Sequence, residues 1–205
     1  MNGDLARLGD SADPETDAIL VSGEPLPAAP GRTTTILLYK PRGAVTTLSD
    51  EKGRSTVAEL LPPELGRLYP VGRLDRFSEG LLLMTNDGAL AQRLTHPAGE
   101  VRKTYLLWVS GWHDGALALL RRPIVLDQKR IRPPAVHLMW QQDGICELEI
   151  TIHEGRNRQI RRMAEAAGLT PTRLKRIAEG PLTLGELKPG QWRRLTEAEL
   201  RQLDG

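Results

Sequence analysis

Tyr69-Pro70-Val71-Gly72-Arg73-Leu74-Asp75-Arg76-Phe77-Ser78-Glu79-Gly80-Leu81-Leu82-Leu83-Met84-Thr85-Asn86-Asp87-Gly88 is the stretch from which the rest of the chain is read. It is a short apolar approach, a charged loop opened by Gly72 and closed by Gly80, and an apolar run, Leu81 to Met84, that stops at a turn signal. Glycine at both ends lets the backbone take conformations that other residues resist, so the loop can be tight. Inside it the ionisable residues Arg73, Asp75, Arg76 and Glu79 alternate in sign. A carboxylate between two arginines stays ionised, which suits a nucleophile or a base rather than an acid. By charge pattern alone, a surface turn with solvated ion pairs is the plainer reading.

Working back from the loop, Thr35 to Tyr39 reads as a strand stopped by Lys40-Pro41-Arg42-Gly43, because Pro41 cannot donate to a ladder. Val45-Thr46-Thr47 reads as a second short strand, and Thr56 to Leu61 as a short helix ended by Pro62-Pro63. Working forward, Asn86 or Asp87 can cap a helix to about Leu94. Val101 to Val109 then reads as a strand with Lys103, Tyr105 and Leu107 on one face. Asp114 is a candidate cap for a helix over Ala116 to Leu120. Ile124 to Leu126 and Ala135 to Trp140 read as strands either side of Pro133-Pro134. The cleanest alternation is Ile145 to Ile152, a half-buried antiparallel strand with Cys146, Leu148, Ile150 and Ile152 on its apolar side.

That strand runs into Glu154-Gly155-Arg156-Asn157-Arg158-Gln159-Ile160-Arg161-Arg162-Met163. Asn157 is a candidate cap, and Ile160, Met163, Ala164 and Ala167 share a helix face, which leaves Arg158, Arg161, Arg162 and Glu165 off it. Four arginines close to a helix start fit a phosphate site, and they fit a solvated helix face as well. Thr172 to Ile177 reads as a strand, and Thr196 with Glu199 forms a capping box for a closing helix over Glu197 to Leu203.

Composition narrows the classes. The 205 residues allow one large domain, and 40% hydrophobic with 26% charged residues is ordinary for a globular chain. One cysteine excludes an intramolecular disulfide and suits a reducing cytoplasm. His96, His113, His137 and His153 show no ligand spacing, so no metal site is expected. No apolar run is long enough for a transmembrane helix, and no basic-then-apolar leader is recognised. Residues 1–32 carry six acids against two arginines, a balance of −4, so the +2 of the whole chain leaves +6 on the remainder. A basic body favours a polyanionic partner. Residues 1–34 are acidic, proline-punctuated and poor in apolar residues, and are expected to be a disordered leader ahead of one domain over 35–205.

Three ordered segments resemble the motifs of the RsuA-type ribosomal pseudouridine synthases: Gly72-Arg73-Leu74-Asp75 with the run after it, Lys103-Thr104-Tyr105, and Glu154 to Met163. Lys-Pro-Arg-Gly and Val-Thr-Thr before the loop fit the same order, so the resemblance covers roughly residues 35–200. It implies an α+β fold: a mostly antiparallel mixed sheet in two lobes, flanked by helices, with a central cleft. By the resemblance Asp75 is catalytic, Tyr105 stacks on the target base, Arg73 helps hold the flipped nucleotide, Arg156 pairs with Asp75, and Leu174 packs near the uridine. Lys40, Arg42, Arg158, Arg161, Arg162, Lys175 and Arg176 are expected to hold RNA phosphates. The implied partner is ribosomal RNA, of the large (23S) rather than the small subunit, since nothing in residues 1–34 can form the S4-type domain found in many members. The enzyme is expected to work as a cytoplasmic monomer without cofactor or metal. Phe77 departs from the pattern, standing where a polar residue is expected. Two other classes fit parts of the pattern: an RNA-binding assembly factor of the same fold without chemistry, and a glycosidase or N-glycosylase. The latter commonly needs two carboxylates, and only Glu79 lies near Asp75 in sequence.

Overall fold

The structure is a computed structural model that describes residues 3, 5–7, 10, 12, 17–25, 33–96 and 101–204. The chain divides into two compact units, residues 1–33 and 34–205. In the first, β1 (Leu20–Val21) pairs antiparallel with β2 (Glu24–Pro25). Much of the expected leader (residues 1, 2, 4, 8, 9, 11, 13–16 and 26–32) lies outside the described residues.

The second unit is built on one nine-stranded sheet. Its strands are β3 (Thr35–Lys40), β4 (Tyr69–Val71), β5 (Glu79–Thr85), β6 (Lys103–Ser110), β9 (Ala135–Gln142), β10 (Ile145–Ile152), β11 (Thr170–Glu179), β12 (Leu182–Thr183) and β13 (Trp192–Arg194). The main path runs β13-β3-β5-β11-β6-β10-β9, with β4 beside β5 and β12 beside β11. Every pairing is antiparallel except β5 with β11. Between β6 and β9 a small hairpin joins β7 (Val125–Leu126) to β8 (Lys129–Arg130). Helices α1 (Gly88–Thr95), α2 (Ala116–Leu120), α3 (Gln159–Ala166) and α4 (Glu197–Asp204) complete the unit.

The apolar patterns explain how the sheet is covered. β3 and β5 are buried along their whole length, which is why they read as continuous apolar runs rather than alternations. Ile36, Leu38, Leu82 and Met84 face one core with Leu107, Leu148 and Ile150 and the apolar residues of α2 and α3. Leu37, Leu81 and Leu83 face a second core with Leu90 and Leu94 of α1 and Leu182, Leu184 and Leu195. β6 and β10 alternate, burying only the side that faces the first core. The two expected lobes are thus halves of one sheet, sandwiched on the β3–β5 side and single-faced on the β6–β10 side.

Two caps form as the sequence suggests: the Leu90 amide donates to Asp87, and Thr196 and Glu199 exchange bonds across the start of α4. Other local expectations are corrected. Thr56 to Leu61 is not an α-helix: it holds one 3₁₀ turn, Ala58–Leu60, and a second, Pro63–Leu65, follows it, because Pro62 and Pro63 end one turn and open the next. Val45 makes only an isolated bridge to Thr56. Asp114 does not cap α2, whose N-cap residue is Gly115 without a side-chain bond. Asn157 does not cap α3, since Arg158 takes a left-handed conformation (φ 50°) and the helix starts at Gln159.

The parallel join between β5 and β11 depends on one glycine. Gly80 has φ +104°, opposite Arg176, and a Cβ there would overlap the Arg176 carbonyl oxygen. Gly80→Ala should therefore combine backbone strain with overpacking and lose at least about 3 kcal/mol of stability. Urea denaturation reads this directly, and a loss under about 1 kcal/mol would contradict the close approach.

Candidate active site

A cleft of about 1000 Å³ opens on the first-core face of the second unit. It brings together Arg73, Asp75, Tyr105, Arg156 and Leu174, the five residues expected to act on or hold the target nucleotide. They come from separate elements: the loop before β5, strand β6, the turn before α3, and strand β11.

The loop that carries Asp75 is fastened from behind. Thr46 donates to the Leu74 carbonyl (2.7 Å) and accepts from the Leu74 amide, while the Gly43 amide donates to the Arg76 carbonyl (2.8 Å). Lys40 Nζ donates to the carbonyls of Ser78 (2.8 Å) and Pro41 (3.0 Å). The Ser78 amide closes the loop on the Asp75 carbonyl at 3.0 Å. Lys-Pro-Arg-Gly and Val-Thr-Thr are thus the loop's foundation, with Lys40 wholly buried in it rather than on an RNA path.

Lys40 also supplies a test. Burial pushes its ammonium down to about 8, against the opposing pull of Asp75 and Glu79. Between that value and the ordinary 10.5 the unfolded chain holds a proton that the folded protein has released, so stability rises with pH across the window. In Lys40→Met the rise between pH 8 and 10 should be smaller, by up to about 1.4 kcal/mol per pH unit. Equal slopes in denaturation series at pH 8, 9 and 10 would show that the buried amine keeps its proton.

Asp75 is half-buried, and its charge raises the proton affinity of Lys40, Tyr105 and Arg161. The third of these corrects the sequence reading. Arg156 Nε donates to Glu154 at 2.9 Å, an ion pair within its own turn, and among the described residues no ion pair joins Asp75 to Arg156 or to Arg161. The guanidinium that feels Asp75 belongs to Arg161, buried in α3 with Nη2 donating to the Phe77 carbonyl at 3.1 Å. Burial and then Arg158 weaken its hold on its proton, and Asp75 offsets them. The misreading has a simple origin: a 3.6-residue period puts Arg161 off the apolar stripe, but α3 is wedged between the core and the loop and buries a wider face.

Tyr105 lies on the cleft floor, buried among apolar neighbours and opposite Arg176 in the ladder. Burial raises its hydroxyl pKa, while the adjacent Arg176 guanidinium lowers it in part. Arg176 donates from Nε to the Leu81 carbonyl (2.7 Å) and pairs with Glu179, which also meets Lys103 at 3.5 Å. Leu174 is buried two residues before Arg176 on the same side of β11. Several buried polar atoms here have no hydrogen-bond partner, among them Ser78 Oγ, Gln159 Nε2 and Arg161 Nε.

The expected phosphate holders divide. Lys40, Arg161 and Arg176 are 0%, 6% and 1% exposed and act as internal struts. Arg162 is engaged by Asp127 at 3.0 Å. Lys175 points to the opposite sheet face, its ammonium 5.2 Å from the Tyr39 ring centre. Arg42 and Arg158 remain exposed, and Arg158 lines the cleft. Arg130 and Arg132 also line it, and the sequence reading passed over them although Lys129-Arg130-Ile131-Arg132 is a visible basic run. Phe77 is exposed with the Arg76 guanidinium 5.3 Å from its ring centre. Glu79 is buried and accepts from Tyr39 (2.8 Å) and Arg173 (2.6 Å); burial alone would raise its pKa, but these two donors bring it below the usual value. It does not line the cleft. Among the described residues no helix is long and apolar enough to cross a membrane, and no group of three or more His, Cys, Asp or Glu side chains is placed to hold a metal ion.

Comparison with known proteins gives a consistent result. The model of a family described as RNA pseudouridylate synthase matches residues 34–166. A protein of Aquifex aeolicus (strain VF5), named as an uncharacterized RNA pseudouridine synthase, is 41% identical over 206 residues, covering 99% of this chain and 82% of its own. Ribosomal large subunit pseudouridine synthase B of Bacillus subtilis (strain 168) is 42% identical over 170 residues, covering 82% of this chain and 70% of its own. A crystal structure of a pseudouridylate synthase superposes with a TM-score of 0.75 at 30% identity, covering 84% of this chain and 74% of that one.

Proposed function

The chain belongs to the RNA pseudouridylate synthase family, and from that premise we propose that it isomerises a uridine of large-subunit ribosomal RNA, with Asp75 beginning the chemistry. The substrate class follows from the kinship with the Bacillus subtilis enzyme and from the basic balance of the body of the chain.

Pseudouridine formation breaks the bond from ribose C1′ to N1, turns the base and joins C1′ to C5. The hydrogen on C5 is lost and N1 gains one, so the overall change is an isomerisation that calls for no oxidant or reductant. The uridine must first leave its stack, at a cost of a few kcal/mol. Tyr105 offers the ring on which the extruded base rests, with Leu174 beside it, and Arg73 and Arg158 hold the backbone. Asp75 either attacks the nucleoside or removes a ribose proton; both first steps use a carboxylate. Arg161, donating to the Phe77 carbonyl, braces the loop that carries Asp75.

The observation that carries this reading is the sharing of one cleft by Asp75 and Tyr105. A glycosylase reading has weaker support, because Glu79, its only nearby second carboxylate in sequence, is committed to Tyr39 and Arg173 outside the cleft. The test is a pseudouridine map of ribosomal RNA from cells with and without the protein. One large-subunit site should disappear with the protein, and an unchanged large-subunit map would overturn the proposal.

A further inference from the structure

We propose that the β7–β8 hairpin is a second RNA-holding element, and that Asp127 and Arg162 are positioning residues that latch it to α3. The proposal rests on the reading that the cleft receives RNA, and it assigns the strand flanking the extruded nucleotide to a particular wall.

Three observations support it. First, the turn is held in an unfavourable conformation: Asp127 (φ 53°) and Gln128 (φ 61°) both take left-handed backbone, where Asn-Gly is the favoured pair. Such a conformation persists only when its surroundings impose it. Second, those surroundings are visible. Leu126 and Ile131 are buried in the first core, and the Ile131 amide donates to the Ile124 carbonyl at 2.9 Å. Arg162 Nη1 donates to both Asp127 carboxylate oxygens, at 3.1 and 3.0 Å. Third, what this holds in place is basic and faces the site. Arg130 and Arg132 line the cleft next to Arg156 and Arg158, with Lys129 exposed at the strand start. Glu154 joins the two segments, accepting from the Arg132 amide (3.1 Å) and from Arg156 Nε (2.9 Å).

A wall with this much positive charge, set beside the place of the extruded base, is suited to the phosphates of a nucleic-acid backbone. The latch explains an otherwise costly turn. An exposed Asp–Arg pair adds little stability, so its use is to fix where the basic arm stands.

Two variants of the full chain test this against unmodified large-subunit RNA transcripts, with dissociation constants measured across a salt series and single-turnover rates at saturating RNA. Lys129→Gln with Arg130→Gln should weaken binding about tenfold and flatten the slope of log K against log salt by about one to two. The loss should appear in kcat/KM, with the saturating rate within about threefold of wild type. Asp127→Asn is the sharper case, because it makes the protein more positive. General electrostatics then predicts tighter binding, whereas loss of the latch predicts binding about three- to tenfold weaker. Tighter or unchanged binding by Asp127→Asn, or unchanged affinity and slope in the double variant, overturns the proposal. Should wild type form no pseudouridine in any transcript, the reading of the cleft fails instead, and the two failures are distinguishable.

Discussion

Asp75→Asn should lower pseudouridine formation by at least about 10⁴-fold while RNA affinity stays within a few fold of wild type. Asparagine keeps the shape and hydrogen-bonding reach of the side chain but removes its charge and basicity. If the carboxylate performs the first step, the other carboxylates near it are committed: Glu79 to Tyr39 and Arg173, Glu154 to Arg156 and the Arg132 amide, and Glu179 to Arg176 and Lys103. The variant also removes one of the negative charges that favour the buried cations Lys40 and Arg161, so a stability loss of about 1–3 kcal/mol should accompany it. Activity measured well below the melting transition separates the two effects. Loss of binding in step with activity would mean that Asp75 holds RNA rather than transforms it.

The second large effect separates the two arginines. Arg161→Met should cost about 10²–10³-fold in single-turnover rate, because it removes a buried positive charge that couples to Asp75 in a low-dielectric setting. It also releases the Phe77 carbonyl and so loosens the loop. Arg156→Met should cost less than about tenfold, and mainly through affinity, since that side chain already pairs with Glu154 at the cleft wall. Arg161→Lys should not restore the rate, because an ammonium cannot reproduce the planar fork that reaches Phe77. The opposite ranking, with Arg156 the more damaging site, would restore the assignment that the sequence suggests.

Much of the architecture is legible in the chain because its signals are periodic. Ile145–Ile152 is the strand its alternation implies, Asp87 caps the helix it stands before, and Thr196 forms its capping box with Glu199 inside α4. The doubly buried β3 and β5 are visible as uninterrupted apolar runs. What sequence reasoning misses lies where tertiary packing overrides a local pattern. Lys40, Arg161 and Arg176 look like solvent-facing cations because lysine and arginine usually are, yet each is paired with carbonyls or a carboxylate inside the fold. No local rule announces that α3 buries a charged side chain along with its apolar stripe. The Arg158 backbone is equally silent in sequence, and its left-handed turn is what delays the helix start by one residue. The parallel pairing of β5 and β11 joins residues nearly a hundred positions apart, and only Gly80 hints at it.

Chemistry at Asp75 is read by the release of tritium to water from large-subunit RNA labelled at uridine C5, incubated with the purified protein and no added cofactor. One tritium should be released per pseudouridine formed, with no free uracil and no release above background with Asp75→Asn. Free uracil among the products, or release that continues undiminished in Asp75→Asn, would contradict that chemistry.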